Sequence, residues 1–399
     1  MPPPRQTLGR RTPWPVSSSR PVVTPLQPSV VYASADPDAL DAQYTDATGF
    51  TYAREGHPNA EVLAHGLAWL EGAPDLFPGP GTVTGSGMAA VGAAFLGCLR
   101  AGDHVLGGEQ LYGRTLRLMN EDLPRLGITT SLADPSDMAA MRAAIRPQTR
   151  MILVETISNP TLRIPDMAGL AALARETGAL LAVDNTFATP RLWQPFAHGA
   201  DIVIHSVTKL LSGHSDATLG WVAARDRDLA DRIRLAAVIW GLTPSPFDCW
   251  LAERGLQTFD LRLDRAQATA ARLAESLAAA PGIARVIYPG RLDHPDHNRA
   301  AGMFAGQGGN MLSLVLNGGR SAANAFARAV PQVAFAPTLG DVGTTLSHPA
   351  SSSHRALSPQ ARDALGLTEG FFRISVGIED PEVLEADLLC AAAAAAAAG

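Results

Sequence analysis

Five short apolar runs in this sequence each end in residues that could do chemistry. After the run 82–84 comes Gly85-Ser86-Gly87-Met88, opening an Ala-rich stretch with helical spacing. After 104–106 comes Tyr112-Gly113-Arg114-Thr115, and after 151–154 comes Glu155-Thr156-Ile157-Ser158-Asn159-Pro160. After 180–183 comes Asp184-Asn185-Thr186. After 202–204 comes His205-Ser206-Val207-Thr208-Lys209, followed by Ser212-Gly213-His214. Glycines entering a helix expose N–H groups at its positive end, which suits an anion. Gly85 to Met88 alone fits a phosphate cradle or a plain tight turn equally. A lone aromatic such as Tyr112 is more often packing than chemistry, and a lone lysine is more often solvated. Anion donors, an aromatic ring, a carboxylate and an amine at successive run ends point instead to a flat, charged ligand.

Pyridoxal phosphate (PLP) is such a ligand. Its phosphate needs N–H and hydroxyl donors, which Gly87, Met88, Ser206 and Thr208 supply. Its pyridine nitrogen must stay protonated for the ring to accept electrons, and an adjacent carboxylate favours that form; Asp184 is the candidate. Its aldehyde needs an amine, and Lys209 is placed to form the Schiff base in a chain poor in lysine.

The elements that must position these groups follow from the apolar pattern. The runs are almost unbroken, as for strands covered on both faces. Between them lie stretches of helical period at 88–99, 138–145 and 167–177. This alternation predicts an α/β fold with a mainly parallel sheet, whose ligands sit at the carboxyl ends of its strands. After about residue 260 the texture changes to one long helix at 263–279 and mixed segments with Gly-rich turns. We therefore expect an N-terminal arm at 1–60, a large domain at 61–258 and a smaller α+β domain at 259–399. The first 30 or so residues, rich in Pro, Ser and Arg, read as an arm disordered alone or ordered by a partner subunit; Arg5, Arg10 and Arg11 fit a flexible tail better than a transit peptide. The all-alanine segment 391–398 is helix-prone and reads as mechanistically silent.

Composition narrows the classes. A net charge of −6 spread over 399 residues gives no basic surface for nucleic acid. No apolar run reaches the ~18–20 residues of a membrane span. Cys98, Cys249 and Cys390 are widely spaced and read as free thiols in a reducing cytoplasm.

In order along residues 45–390, the chain resembles the Cys/Met-metabolism PLP enzymes of fold type I, the cystathionine γ-synthase, cystathionine γ-lyase and methionine γ-lyase family. The stretches that carry the resemblance include Tyr52-Ala53-Arg54, Leu70-Glu71-Gly72, Ser86-Gly87-Met88, Tyr112-Gly113 and Ser158-Asn159-Pro160. They continue with Asp184-Asn185-Thr186, Ser206-Val207-Thr208-Lys209, Gly213-His214 and Arg373-Ile374-Ser375. The resemblance implies a mainly parallel seven-stranded sheet in the large domain. It implies that Lys209 binds the cofactor and shuttles protons, that Asp184 pairs with the pyridinium, and that Tyr112 stacks on the ring and acts on the leaving group. Asn159 would contact the ring hydroxyl, and Gly87, Met88, Ser206 and Thr208 the phosphate. Tyr52 and Arg54 would reach the phosphate of a neighbouring subunit, which requires a dimer, with a tetramer of two dimers expected. Arg373, beside Thr338, would clamp the carboxylate of an amino-acid substrate. The expected reaction is γ-elimination or γ-replacement.

Departures from the family pattern bear on the substrate. The usual Tyr-x-Arg-x-Gly-Asn-Pro-Thr reads Tyr52-Ala53-Arg54-Glu55-Gly56-His57-Pro58-Asn59 here, and Arg114 stands where methionine γ-lyases carry Cys. The Glu that helps recognise cystathionine's distal amino group is replaced in Pro337-Thr338-Leu339-Gly340. Glu55, His57 and Arg114 are therefore expected to line a distal pocket for another polar γ-substituent, as in an acyl-homoserine or canavanine; the alternative is that Glu55 and Arg114 pair with each other or with solvent. Competing readings are a cystathionine β-lyase, a non-catalytic PLP-binding regulatory protein and an aminotransferase of the same fold.

Overall fold

Runs of Val, Ile, Leu and Ala bounded by turns become buried strands, and a computed structural model of the chain describes residues 17–46, 49–72, 79–355 and 358–399. The first seven strands are β1 (Thr82–Thr84), β2 (His104–Gly108), β3 (Thr129–Ala133), β4 (Thr149–Glu155), β5 (Leu180–Asp184), β6 (Ile202–His205) and β7 (Gly220–Ala224). They form one sheet in the order β1-β7-β6-β5-β4-β2-β3. All pairings are parallel except those of β7, which runs antiparallel to β1 and β6. Register places Glu155 on β4 directly beside Asp184 on β5. The strands expected from the apolar runs are all present, most extended by a residue or two. Two strands gave no such signal. β3 is an edge strand with partly exposed residues, and β7 is built of Gly, Trp, Val and Ala.

Helices cover both faces of the sheet, and their starts are capped as the sequence chemistry requires. Ser86 Oγ accepts from the Ala89 N–H at the start of Gly87–Cys98, and Asp166 caps Met167–Thr177. Each buried Leu or Phe between helix and sheet contributes about 2 kcal/mol.

A second sheet combines β8 (Ile283–Ile287), β9 (Met311–Leu316), β10 (Ala334–Phe335), β11 (Thr345–Ser347) and β12 (Phe371–Ser375), in the order β10-β11-β12-β9-β8. The helix Phe259–Ala278 joins the two layers. Its first half puts Phe259 and Leu263 into the core of the large sheet. Its second half puts Ala270, Leu273 and Leu277 into the core of the small one.

Two segments that read as peripheral in the sequence pack closely against the body of the subunit. The alanine tail belongs to the helix Pro381–Ala398, in which Ala391, Ala392 and Ala395 are fully buried. Its side chains are small enough that the Ala392 carbonyl and Ala396 lie against Gly282; alanine supplies close packing that its weak apolar signal conceals. The arm, from residue 24 onward, is pinned to its own subunit. Asn59 accepts from the Gln27 N–H and donates to the Pro25 carbonyl, Trp250 donates to the Thr24 carbonyl, and Thr24 Oγ1 donates to Glu253. Arg5, Arg10 and Arg11 lie outside the described residues. Among the described residues no helix is long and apolar enough to cross a membrane.

Candidate active site

At the carboxyl end of β1 the chain turns into the helix Gly87–Cys98. The Ala89 and Ala90 N–H groups are taken by Ser86, whereas Gly87 and Met88 precede any intrahelical acceptor. A Cβ on Gly87 would stand 2.7 Å from Ser206 Cβ and 2.8 Å from its Oγ, so only glycine lets the helix end meet the loop after β6. Two N–H groups and a hydroxyl thus gather at a helix N-terminus, the donor set that a phosphate takes. Thr208, expected among these donors, is committed elsewhere. Its hydroxyl donates to the Leu219 carbonyl at 3.1 Å and accepts from the Leu219 N–H at 2.8 Å, so its single proton already closes a turn.

Lys209 follows β6 in a tight turn, its N–H bonded to the Ser206 carbonyl and its carbonyl to the Gly213 N–H. It is the only lysine among the 32 basic Lys and Arg residues of the sequence. Nζ makes no hydrogen bond or ion pair among the described residues. Burial, and next the charge of Arg373, hold its amine below the usual lysine range. The turn is braced from behind by Arg262, whose guanidinium donates to the carbonyls of Leu210, Leu211 and Gly255. Gly213 has φ +78°, and a Cβ there would fall 1.9 Å from Arg262 Nη1. Sequence reading missed Arg262. The signal was present, because it lies on the buried stripe of its helix with Phe259, Leu263 and Ala266.

Asp184 ends β5. Its Oδ1 accepts from the Thr186 N–H at 3.0 Å and the Thr186 hydroxyl at 2.5 Å, and Thr186 Oγ1 in turn accepts from the Ser206 N–H. One threonine thereby links the anion-donor end of the site to its carboxylate end. Burial raises the Asp184 carboxyl above the usual range, opposed by the Thr186 bonds and by nearby His205. Among the described residues Asp184 has no cation within ion-pair distance. Beneath it lies a second layer that sequence reading did not single out. His205 Nε2 donates to Glu71 Oε1 at 2.5 Å, and Asn185 donates to the same oxygen while accepting from Thr156.

Arg373 is central in β12 and buried. Nη1 donates to Asn159 Oδ1 at 2.6 Å and Nη2 to the Thr338 carbonyl at 2.7 Å. Burial pushes its pKa down to about 10. Its Nε is buried with no partner among the described residues, so part of the fork still faces an acceptor yet to come. Thr338 enters the site through its backbone carbonyl, and Ser375 holds the same loop by accepting from the Gly340 N–H. Tyr112 is partly exposed, and its N–H donates to Glu155 Oε1 at 2.6 Å.

The structure does not bring Glu55, His57 and Arg114 together as one pocket. His57 is buried as the N-cap of the helix Pro58–Leu70, with Nδ1 accepting from the Ala60 N–H and Nε2 donating to the Pro244 carbonyl. Asn59, two positions on, pins the arm. Glu55 pairs with its neighbour Arg54 at 3.7 Å. Arg114 is exposed and makes no bond or ion pair among the described residues. Tyr52 and Arg54 lie exposed on a segment bridged to Val31, the guanidinium 5.3 Å over the Tyr52 ring.

Donors for an anion, a carboxylate lacking a cation and an amine with a lowered pKa match the three polar ends of PLP. The residues present fit that cofactor.

Comparison with known proteins agrees. The family model described as Cys/Met metabolism PLP-dependent enzyme matches residues 13–393. The chain is 40% identical to a cystathionine β-lyase of Bacillus subtilis over 346 residues, 87% of each chain. It is 39% identical to an O-succinylhomoserine sulfhydrylase of Pseudomonas aeruginosa over 343 residues, 86% of this chain and 83% of that one. A crystal structure of cystathionine γ-synthase from Xanthomonas oryzae pv. oryzae with aminoacrylate and cysteine superposes with a TM-score of 0.88 at 36% identity, covering 95% of this chain and 94% of that one.

Proposed function

We propose, because this chain belongs to the Cys/Met metabolism PLP-dependent enzyme family, that it carries out γ-elimination or γ-replacement on an amino acid with a leaving group on Cγ. The observation that carries this reading is the convergence of Lys209, Asp184 and the buried fork of Arg373 at the strand ends. It is a site for an α-amino acid.

When bound, PLP supplies the electron sink for a carbanion at Cα. Gly87, Met88 and Ser206 Oγ would hold its phosphate, Asp184 its pyridinium and Lys209 Nζ its aldehyde carbon, with Asn159 and Tyr112 against its ring. Arg373 binds the substrate carboxylate through Nε–H and its remaining Nη–H groups, oriented by Asn159 and Thr338. Lys209 Nζ would move the protons at Cα and Cβ one at a time, giving up the first before it takes the second; its lowered proton affinity suits it to this at neutral pH. Tyr112 stands at the leaving group. Tyr52 and Arg54, exposed on their own subunit, reach the phosphate of a neighbour, so the working unit is at least a dimer. The three unpaired cysteines accord with a reducing, cytoplasmic setting.

Arg114 is the residue we assign to specificity. An exposed guanidinium two positions after Tyr112 repels the guanidine of canavanine and attracts a carboxylate. A homoserine ester with a carboxylated acyl arm fits best. With such an ester and a thiol, we expect a thioether, and without the thiol, 2-oxobutanoate. Pyruvate from cystathionine as the dominant product would move the protein to the β-lyase class, a second reading favoured by its likeness to a β-lyase. Arg114→Ala is expected to raise KM for a succinyl ester ~5-fold, the worth of a half-exposed ion pair. It should leave KM for the acetyl ester unchanged; equal effects on both would remove Arg114 from specificity.

A further inference from the structure

Glu155 is an ionisable side chain at these strand ends that the proposed chemistry leaves without a role. It ends β4; its Oε1 accepts from the Tyr112 N–H at 2.6 Å, and the Asn159 N–H lies against the same carboxyl group. One carboxyl group therefore meets two loops: the one presenting the aromatic ring, and the one whose Asn159 side chain braces Arg373. The second oxygen, Oε2, is buried with no partner among the described residues.

Among the described residues no cation pairs with this carboxyl. Asp184 stands beside it in register on β5. Asp134 and Arg163 share with it the wall of a small cavity. Arg163 is committed to Asp296, on which its Nε and Nη2 both lie. Arg373 is reached only through Asn159. Two adjacent buried carboxyls cannot both carry charge cheaply, because each loses water and repels the other. Asp184 keeps two bonds from Thr186 and lies near His205, both of which favour its charge. Glu155 has only the two backbone N–H groups.

We infer that Glu155 is a positioning residue that enters the folded site as a neutral carboxylic acid, its carboxyl group holding Tyr112 and Asn159 in place and its unpartnered Oε2 carrying a proton. The negative charge of the pair then belongs to Asp184 alone. Burial and the neighbouring Asp184 raise the Glu155 carboxyl well above the glutamate range, in agreement. The inference rests on the proposed function only for what Tyr112 and Asn159 do there.

The neutral form has an isostere. In Glu155→Gln the amide oxygen can accept both N–H groups while the NH₂ takes the place of the O–H, facing Asp184. The full-length variant and Glu155→Ala are compared with the wild type, with and without added pyridoxal phosphate. Glu155→Gln should retain kcat/KM and PLP affinity within ~3-fold, whereas Glu155→Ala, with both N–H groups unpaired, should lose ~100-fold in kcat/KM. A thermal measurement distinguishes positioning by a neutral acid from mere packing. A folded-state proton affinity above the unfolded value stabilises the fold below the ordinary glutamate range, and that contribution is lost as pH rises. The Tm of Glu155→Gln minus that of wild type, measured without cofactor, should therefore grow from pH 5 to pH 8. A flat or falling difference, or a Gln variant as damaged as the Ala variant, overturns the inference. Failure of every form to bind PLP would sink the functional reading instead, while the cofactor-free thermal series still decides the state of Glu155.

Discussion

Lys209→Ala should lose turnover by at least ~10³-fold, because one amine serves both as covalent anchor and as proton carrier. The same variant should lose the absorbance band near ~420 nm that a lysine-bound PLP gives, while still binding the cofactor through the donors at Gly87, Met88 and Ser206. Those two outcomes separate the roles of the site's parts. A variant that keeps the band would show that another amine holds the cofactor. A variant that cannot bind PLP at all would show that the helix N-terminus contributes little without the covalent bond. Folding should not suffer, since the turn is held by backbone bonds to Ser206 and Gly213 and from behind by Arg262.

Asp184→Asn should cost a comparable ~10³-fold or more in kcat, because a neutral amide cannot hold the pyridine nitrogen in its protonated form. Here activity and stability are expected to move in opposite directions. Burial raises the folded-state proton affinity of Asp184 above its unfolded value. Its contribution to stability is then complete in acid, below the ordinary aspartate range, and lost as pH rises through the folded value. At neutral pH the cofactor-free wild type bears that loss and the Asn variant does not. Without cofactor, Asp184→Asn should therefore melt higher than wild type at pH 7, by an amount that shrinks toward pH 4. Added PLP should raise the wild-type Tm more than that of the variant, because only the wild type gains an ion pair on binding. A wild type more stable than the variant without cofactor would mean that Asp184 already has a cation in the folded chain.

Lys209, Asp184 and Tyr112 were legible because each ends or closely follows a buried strand, where an ionisable side chain or a solitary ring needs a reason; Arg373, in the middle of a strand, was legible only through the motif it stands in. The parallel strands were legible because burial on both faces leaves no polar alternation to confuse them; β3 escaped because it is half solvated, and β7 because Gly and Ala carry little apolar signal. Departures from a motif proved harder to read. His57 was read as a new ligand contact, yet it caps a helix, and a polar residue at a turn has the same appearance in both roles. Thr208 matched its motif, but its hydroxyl is spent on Leu219. Arg262, Glu71 and Glu155 escaped for the opposite reason: a residue that braces another acts through contacts distant in sequence, as from Glu71 to His205 or Arg262 to Leu210.

That a single lysine stands among 32 basic residues has a practical meaning outside the reaction itself. Arginine gives the surface its positive charges but not the nucleophilic amine on which acylation, glycation, aldehyde cross-linking and most conjugation reagents depend. Apart from an α-amine, the one handle for such reagents lies inside the pocket. Amine-directed coupling would thus work as a count of open sites, with each equivalent bound removing one from service. Immobilisation would have to use another group, and Cys390, exposed on the last helix, is the free thiol best placed for it.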